Sequence, residues 1–119
     1  MLGNMSRIIS PSVLSADFLH LGRDTEMLNR SEAEWIHIDV MDGVFVPNLS
    51  FGFPVLSAIR KVTTKVLDTH LMIVEPERYI ERFAKAGANI ITIHIEATED
   101  LPAAIRMIKA CGVKAGVSI

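Results

Sequence analysis

The strongest constraint on the fold is the regular alternation of strand-like and helix-like segments along the chain. Runs rich in β-branched and apolar residues predict five strands, at Ile8–Leu14, Trp35–Met41, Val66–Ile73, Ile90–Glu96 and Ala115–Ile119. The stretches between these runs show helical periodicity. Because parallel strands need a crossover of a dozen or more residues, repeated strand–helix units predict a parallel sheet in an α/β fold.

The predicted helices have apolar faces and recognisable boundaries. The apolar faces are formed by Phe18, Leu21, Thr25 and Leu28, by Ile80, Phe83 and Ala84, and by Leu101, Ala104, Ile105 and Ile108. Asp17 is a candidate N-cap of the first helix, and Pro54 and Pro76 suit first-turn positions. Gly87 and Gly112 suit helix ends, where a left-handed backbone favours glycine.

Composition narrows the class of protein. The chain has 119 residues, half of them hydrophobic, which is enough for one globular unit. A net charge of −2 with both signs interspersed predicts no nucleic-acid or anionic-membrane partner. The single cysteine, Cys111, excludes an internal disulfide and favours a reducing, cytoplasmic setting.

Two observations bear on domain organisation. No apolar run approaches the roughly 20 residues that span a bilayer, so no membrane segment is expected. Residues 1–7 lack the apolar core of a signal peptide and are interpreted as an N-terminal tail before a domain of residues 8–119.

Polar side chains recur on one face of the second and third predicted strands. On each strand a histidine, an aspartate and a methionine occupy alternate positions: His37, Asp39 and Met41, then Asp68, His70 and Met72. Such groups are costly in a buried strand unless they have partners. Imidazole and carboxylate groups are ligands of zinc, manganese, iron and cobalt, so His37, Asp39 and His70 are candidate ligands of one divalent ion. The simpler alternative is that each histidine is a hydrogen-bonded core residue.

Asp39 is also a candidate general base. A carboxylate beside a divalent cation can remove a proton α to a carbonyl, and the cation stabilises the enediolate that forms. Met41 and Met72 suit either core packing or a polarisable surface beside a planar intermediate. On the first predicted strand, the alternation of side chains directs Ser12 to the inner face, and Ser12 is a candidate substrate contact.

Two further features bear on such a site. The segment Asp42–Gly52 is long for a strand-to-helix connection and is interpreted either as a cover of the site or as a surface loop with an apolar anchor. His94 and Glu96 share a face of the fourth predicted strand, which predicts a structural hydrogen bond or an extension of the polar network. Cys111 lies beside a helix end and is assigned no chemistry.

Six short stretches form a combined pattern that covers the chain from Ile8 onward: Ser10–Asp17, His37–Gly43, Phe45–Asn48, Phe51–Gly52, Asp68–Met72 and His94–Ala97. Together they resemble the ribulose-phosphate 3-epimerase family. The resemblance implies a TIM (β/α)8 barrel, here its first four βα units and the start of strand five. It also implies interconversion of D-ribulose 5-phosphate and D-xylulose 5-phosphate, a step of the pentose phosphate pathway, by metal-assisted proton abstraction at C3.

The resemblance assigns roles to individual residues. Those implied to bind one divalent ion, with zinc, iron, manganese and cobalt all suitable, are His37, Asp39 and His70. Asp39 is implied to be one of two acid/base carboxylates. The residues implied to line the site of the sugar phosphate are Ser12, His70, Met41 and Met72.

The resemblance also implies parts that this sequence lacks. A barrel of this kind needs roughly 200–250 residues, so the domain is expected to be truncated at the fifth strand. A second aspartate and the phosphate-binding loops belong to later strands of the family, so the chain alone is expected to be inactive or nearly so. Open sheet edges favour a homo-oligomer.

Three alternatives remain open from the sequence. One is a 3-epimerase that acts on a six-carbon ketose phosphate. Another is a non-catalytic half-barrel that self-associates through its edges, and a third is a generic phosphate-binding barrel fragment.

Overall fold

The computed structural model describes residues 8–13, 16 and 18–119. The predictions for residues 1–7, Leu14 and Asp17 lie outside this set. Four helices and four strands alternate within it: α1 Leu21–Asn29, β1 Trp35–Met41, α2 Phe53–Val62, β2 Val66–Met72, α3 Ile80–Ala86, β3 Ile90–His94, α4 Leu101–Ala110 and β4 Lys114–Ser118. Short 3-10 turns occupy Phe18–His20, Pro76–Arg78 and Ile95–Ala97.

The four strands form one parallel sheet in the order β1-β2-β3-β4. Each strand pairs with the next strand along the chain, through one intervening helix. A sheet whose order follows the chain order throughout is typical of a βα barrel, whereas a doubly wound sheet reverses direction at a switch point. The predicted α/β fold, with four parallel βα units of a TIM barrel, is confirmed.

The predicted first strand, Ile8–Leu14, is wrong as a regular strand. Among its described residues, Ser12 forms an isolated parallel bridge to His37, and the Ile9 carbonyl accepts a hydrogen bond from the Trp35 N–H at 3.4 Å. The carbonyl of Pro11 accepts a hydrogen bond from the His37 N–H at 2.8 Å. Proline has no N–H to donate, so a regular ladder is interrupted at this point. The segment nevertheless lies beside β1, where a preceding strand would pair.

The fourth predicted strand, Ile90–Glu96, corresponds to β3 and ends two residues earlier than predicted. The strand stops at His94, and Glu96 lies in the following 3-10 turn with its side chain exposed. The prediction that His94 and Glu96 share a strand face is therefore wrong. Ile95 continues the apolar–polar alternation of the sequence but is 42% exposed. Its side chain therefore gains little from burial that would keep this residue in the sheet. The other three predicted strands match within one residue at each end.

The hydrophobic core lies between one face of the sheet and the helices. Alternate strand residues on this face are almost fully buried: Ile36, Ile38, Val40, Leu67, Thr69, Leu71, Ile91 and Ile93. The helices cover them with apolar side chains, among them Leu56, Ile59, Ile80, Phe83, Ala104 and Ile108. Burying one large aliphatic side chain contributes about 1.5–3 kcal/mol. The period of two along a strand then directs the remaining side chains to the opposite face.

Helix ends fix the connections between these layers. Asp100 Oδ1 accepts a hydrogen bond from the Ala103 N–H at 3.1 Å and so caps α4. Gly87 ends α3 with φ +123°, and a Cβ atom there would clash with the Arg60 side chain. Within the described ranges, no helix has both the length and the apolar character needed to cross a lipid bilayer.

Candidate metal centre

A polar cluster lies on the sheet face that the helices leave uncovered. The parallel register places His37 beside Asp68 and Asp39 beside His70 on the neighbouring strands β1 and β2. Because neighbouring strands lie about 4.8 Å apart, side chains at these positions come within reach of one another. The His37, Asp39 and His70 side chains are 26%, 14% and 21% exposed, so the cluster is half-buried but accessible.

The structure brings together the three residues predicted as metal ligands. One candidate ligand atom from each of His37, Asp39 and His70 lies within 4.8 Å of the others. Asp39 Oδ1 is 2.8 Å from His37 Nε2 and 3.3 Å from His70 Nδ1. Two imidazole nitrogens and a carboxylate oxygen form a donor set suited to a divalent transition metal.

His37 contacts a second carboxylate on the other side of its ring. Its Nδ1 atom lies 2.9 Å from Asp68 Oδ2. The same Asp68 oxygen accepts a hydrogen bond from the Ser10 hydroxyl at 3.3 Å. The alternation of side chains along the strand placed Asp68 on the same face as His70. It did not predict this contact, because the contact also depends on the register between β1 and β2.

The other two candidate ligands also have partners. The Ser12 hydroxyl donates to Asp39 Oδ2 at 3.1 Å, which leaves the Oδ1 atom to face the two imidazoles. His70 Nε2 lies 2.7 Å from His94 Nε2, and the two rings stack with centroids 4.8 Å apart. This contact fits both roles predicted for His94, a structural hydrogen bond and an extension of the polar network.

The surroundings shift the two candidate histidines in opposite directions. The hydrogen bond to Asp68 raises the pKa of His37, and the nearby Asp39 carboxylate adds to this effect against the opposing influence of burial. Burial and the neighbouring His94 ring lower the pKa of His70. The hydrogen bond from His37 lowers the pKa of Asp68. A lowered pKa keeps the His70 imidazole neutral near pH 7, which is the form that donates a lone pair to a metal.

Two methionines continue the same face toward the carboxyl ends of the strands. The register pairs Met41 with Met72, one inward position beyond Asp39 and His70. Both side chains are half-buried. In a βα barrel this end of the strands carries the active site, and the two methionines lie at this end beside the cluster.

The loop after β1 is attached to the backbone of β1 through the Ser50 side chain. The Ser50 hydroxyl accepts from the Met41 N–H at 2.9 Å and donates to the Asp39 carbonyl at 2.8 Å. The Phe45 ring packs against His94, with centroids 5.0 Å apart. The loop therefore contacts the edge of the polar cluster through the Phe45 ring, a contact that is compatible with both interpretations of this segment.

Asp42 organises the start of this loop, a role that sequence analysis missed. Its carboxylate accepts hydrogen bonds from the backbone N–H groups of Val44, Phe45 and Val74, each at 2.8 Å. Slight burial opposes ionisation, but these three bonds outweigh it and lower the pKa of Asp42. An aspartate followed by glycine at the end of a strand is a signal for such a turn.

Comparisons with known proteins identify the family. The model of the family described as "Ribulose-phosphate 3 epimerase family" matches residues 8–119. Ribulose-phosphate 3-epimerase of Synechocystis sp. is 51% identical over 111 residues, which cover 92% of this chain and 48% of that protein. The protein of the same name from Bacillus subtilis (strain 168) is 53% identical over 109 residues, which cover 92% of this chain and 50% of that protein.

A plant relative gives the same result. Ribulose-5-phosphate-3-epimerase, chloroplastic, of Arabidopsis thaliana is 49% identical over 112 residues, which cover 92% of this chain and 40% of that protein. The chain thus spans about half the length of the curated relatives it matches.

Proposed function

The chain belongs to the ribulose-phosphate 3-epimerase family, and we propose that it supplies one half of the active site of a metal-dependent isomerase. The proposed reaction inverts C3 of a ketose phosphate and interconverts D-ribulose 5-phosphate and D-xylulose 5-phosphate in the pentose phosphate pathway. The observation that carries this proposal is the convergence of His37, Asp39 and His70 on neighbouring strands.

These three residues would hold the metal. A bound divalent ion, of zinc, iron, manganese or cobalt, would stabilise negative charge that develops on substrate oxygens. Asp39 directs Oδ1 at the two imidazoles and has a second oxygen, Oδ2, which accepts from Ser12. In the proposed reaction the Asp39 carboxylate removes the proton from C3, which gives an enediolate.

The remaining predicted site residues would contact the substrate. Ser12 lies within hydrogen-bond distance of the proposed base, so its hydroxyl can orient Asp39 and face the sugar phosphate. Met41 and Met72 would offer a polarisable, apolar surface to the planar intermediate. His70 would contribute both as a metal ligand and as part of this lining.

Inversion at a carbon centre requires proton removal on one face and proton delivery on the other. Asp39 serves one face only, so we propose that residues 8–119 act as part of a larger barrel and that this chain alone has little or no turnover. A homo-oligomer would cover the sheet edges. The lone Cys111 supports a cytoplasmic setting, where thiols stay reduced.

The test is solvent-deuterium exchange at C3 of D-ribulose 5-phosphate, measured with formation of D-xylulose 5-phosphate. The purified chain is assayed with added zinc or manganese and with a chelator. We expect metal-dependent exchange without epimerisation, because the base and the metal ligands are present on one face. Asp39→Asn should abolish the exchange, whereas Glu81→Gln, the same chemical change on an exposed helix position, should not.

The alternatives give different results. Epimerisation together with exchange would indicate a second base contributed by another copy of the chain. Equal or faster exchange with a six-carbon ketose phosphate would favour the related sugar specificity. No exchange with either sugar in the folded, metal-saturated chain would contradict the proposed role of Asp39.

A further inference from the structure

The His37 ring is held between two carboxylates that face different nitrogens. Its Nε2 atom lies 2.8 Å from Asp39 Oδ1, inside the candidate metal group. Its Nδ1 atom lies 2.9 Å from Asp68 Oδ2, which is not a member of that group. One imidazole presents its two nitrogens in divergent directions, so only Nε2 is available to the site.

The Asp68 carboxylate is itself held in place. The sheet register fixes its backbone directly beside His37. The Ser10 hydroxyl donates to the same Oδ2 atom that contacts His37, and the Asp68 side chain is only 16% exposed. A carboxylate with these restraints holds an imidazole in one orientation more firmly than a mobile surface group would.

The geometry points to Asp68 as a positioning residue for His37. By accepting the Nδ1–H hydrogen bond, Asp68 fixes the ring and keeps a proton on Nδ1, so that Nε2, which lies beside Asp39 Oδ1, is the nitrogen that would bind a metal. This inference rests on the proposed metal-dependent function. It adds to that function a residue that does not itself contact the metal or the substrate.

A purely structural role for Asp68 predicts a different outcome. An ion pair that only joins β1 to β2 would affect the unfolding of the metal-free chain and leave the metal affinity unchanged. A positioning role affects the metal affinity, and a neutral hydrogen-bond acceptor of the same shape should largely preserve it. The pair Asp68→Ala and Asp68→Asn separates these roles, since asparagine keeps an oxygen that can accept the Nδ1–H bond.

The experiment measures Zn²⁺ affinity by competition with a chromophoric chelator, alongside urea unfolding of the metal-free chain. For Asp68→Ala we expect affinity about 10–100-fold weaker than that of the unmodified chain, the usual effect of losing an outer partner of a metal-bound histidine. Asp68→Asn should recover most of this loss. In ¹⁵N NMR of the zinc-loaded chain, His37 should carry its proton on Nδ1 in the unmodified chain and in Asp68→Asn.

Each contrary result has a distinct meaning. Unchanged affinity in Asp68→Ala, with normal binding by the unmodified chain, would overturn the positioning role and leave the proposed function intact. Equal losses in Asp68→Ala and Asp68→Asn would also overturn it, because charge would then matter more than orientation. An unmodified chain that binds no zinc would refute the proposed function together with this role.

Discussion

The two faces of the sheet carry different kinds of side chain on the same strands. On β1, β2 and β3, the face beneath the helices buries isoleucine, leucine and valine almost completely and contains one polar strand residue, Thr69. The uncovered face carries His37, Asp39, Asp68 and His70, each half-buried and hydrogen-bonded to a neighbour. Stability is therefore concentrated on one face and candidate chemistry on the other, although their residues alternate along each strand.

This separation means that adjacent residues should respond to substitution in different observables. A change on the covered face should alter the free energy of unfolding and leave the ligand geometry intact as long as the sheet folds. A change on the uncovered face should alter metal affinity with little effect on stability. Three substitutions test this distinction.

The largest effect is expected for Leu71→Ala on the covered face. Leu71 is 0% exposed, so the truncation leaves a cavity and should lower the free energy of unfolding by about 2–5 kcal/mol. Its neighbour Met72 points to the uncovered face and is half-buried, so Met72→Ala is the matched control with a smaller loss. Urea titration of the metal-free chains measures both. Equal losses would mean that the two faces contribute alike to stability.

The next effect is expected for His70→Ala on the uncovered face. Removal of a candidate ligand should weaken Zn²⁺ binding by at least about 100-fold, which corresponds to about 2.7 kcal/mol. Unfolding of the metal-free chain should change less than in Leu71→Ala. His20→Ala removes an exposed imidazole and provides the control. Unchanged zinc affinity in His70→Ala would favour the alternative that His70 is a hydrogen-bonded core residue.

The smallest effect, and one of opposite sign, is expected for Thr69→Val. The Thr69 hydroxyl is fully buried and has no hydrogen-bond partner among the described residues. Valine has nearly the same shape without the unpaired polar group, so the free energy of unfolding should rise by about 1 kcal/mol. Thr92→Val, at a half-buried position on the uncovered face, should give no comparable gain. A loss of stability in Thr69→Val would show that the hydroxyl has a partner in solution.

Much of the fold could be predicted because burial imposes a period on the sequence. The range Trp35–Met41 was predicted correctly, since strict alternation over seven residues has one interpretation. The errors lie where alternation continues without burial, as at Ile95, or where the backbone cannot pair, as at Pro11. The period of the sequence predicts which face of a strand a residue occupies. It does not predict how exposed the residue is, or whether its backbone has an N–H group to donate.

The candidate site could be predicted in part for the same reason. The alternation of side chains along the strands placed His37, Asp39 and His70 on one face, and the structure brings their ligand atoms together. The contact between His37 and Asp68 depends on the register between two strands, which the helix between them and the core packing determine. A single sequence contains no direct signal for that register.

The three candidate ligands all belong to one β–α–β unit, from β1 through α2 to β2. Proteins are synthesised from the N-terminus, so β1 and β2 leave the ribosome before β3 and β4. The complete ligand group is therefore outside the ribosome as soon as β2 has emerged, before β3 and β4 are available to pair. Metal capture at that moment would join β1 to β2 and bias the growing chain toward its parallel register.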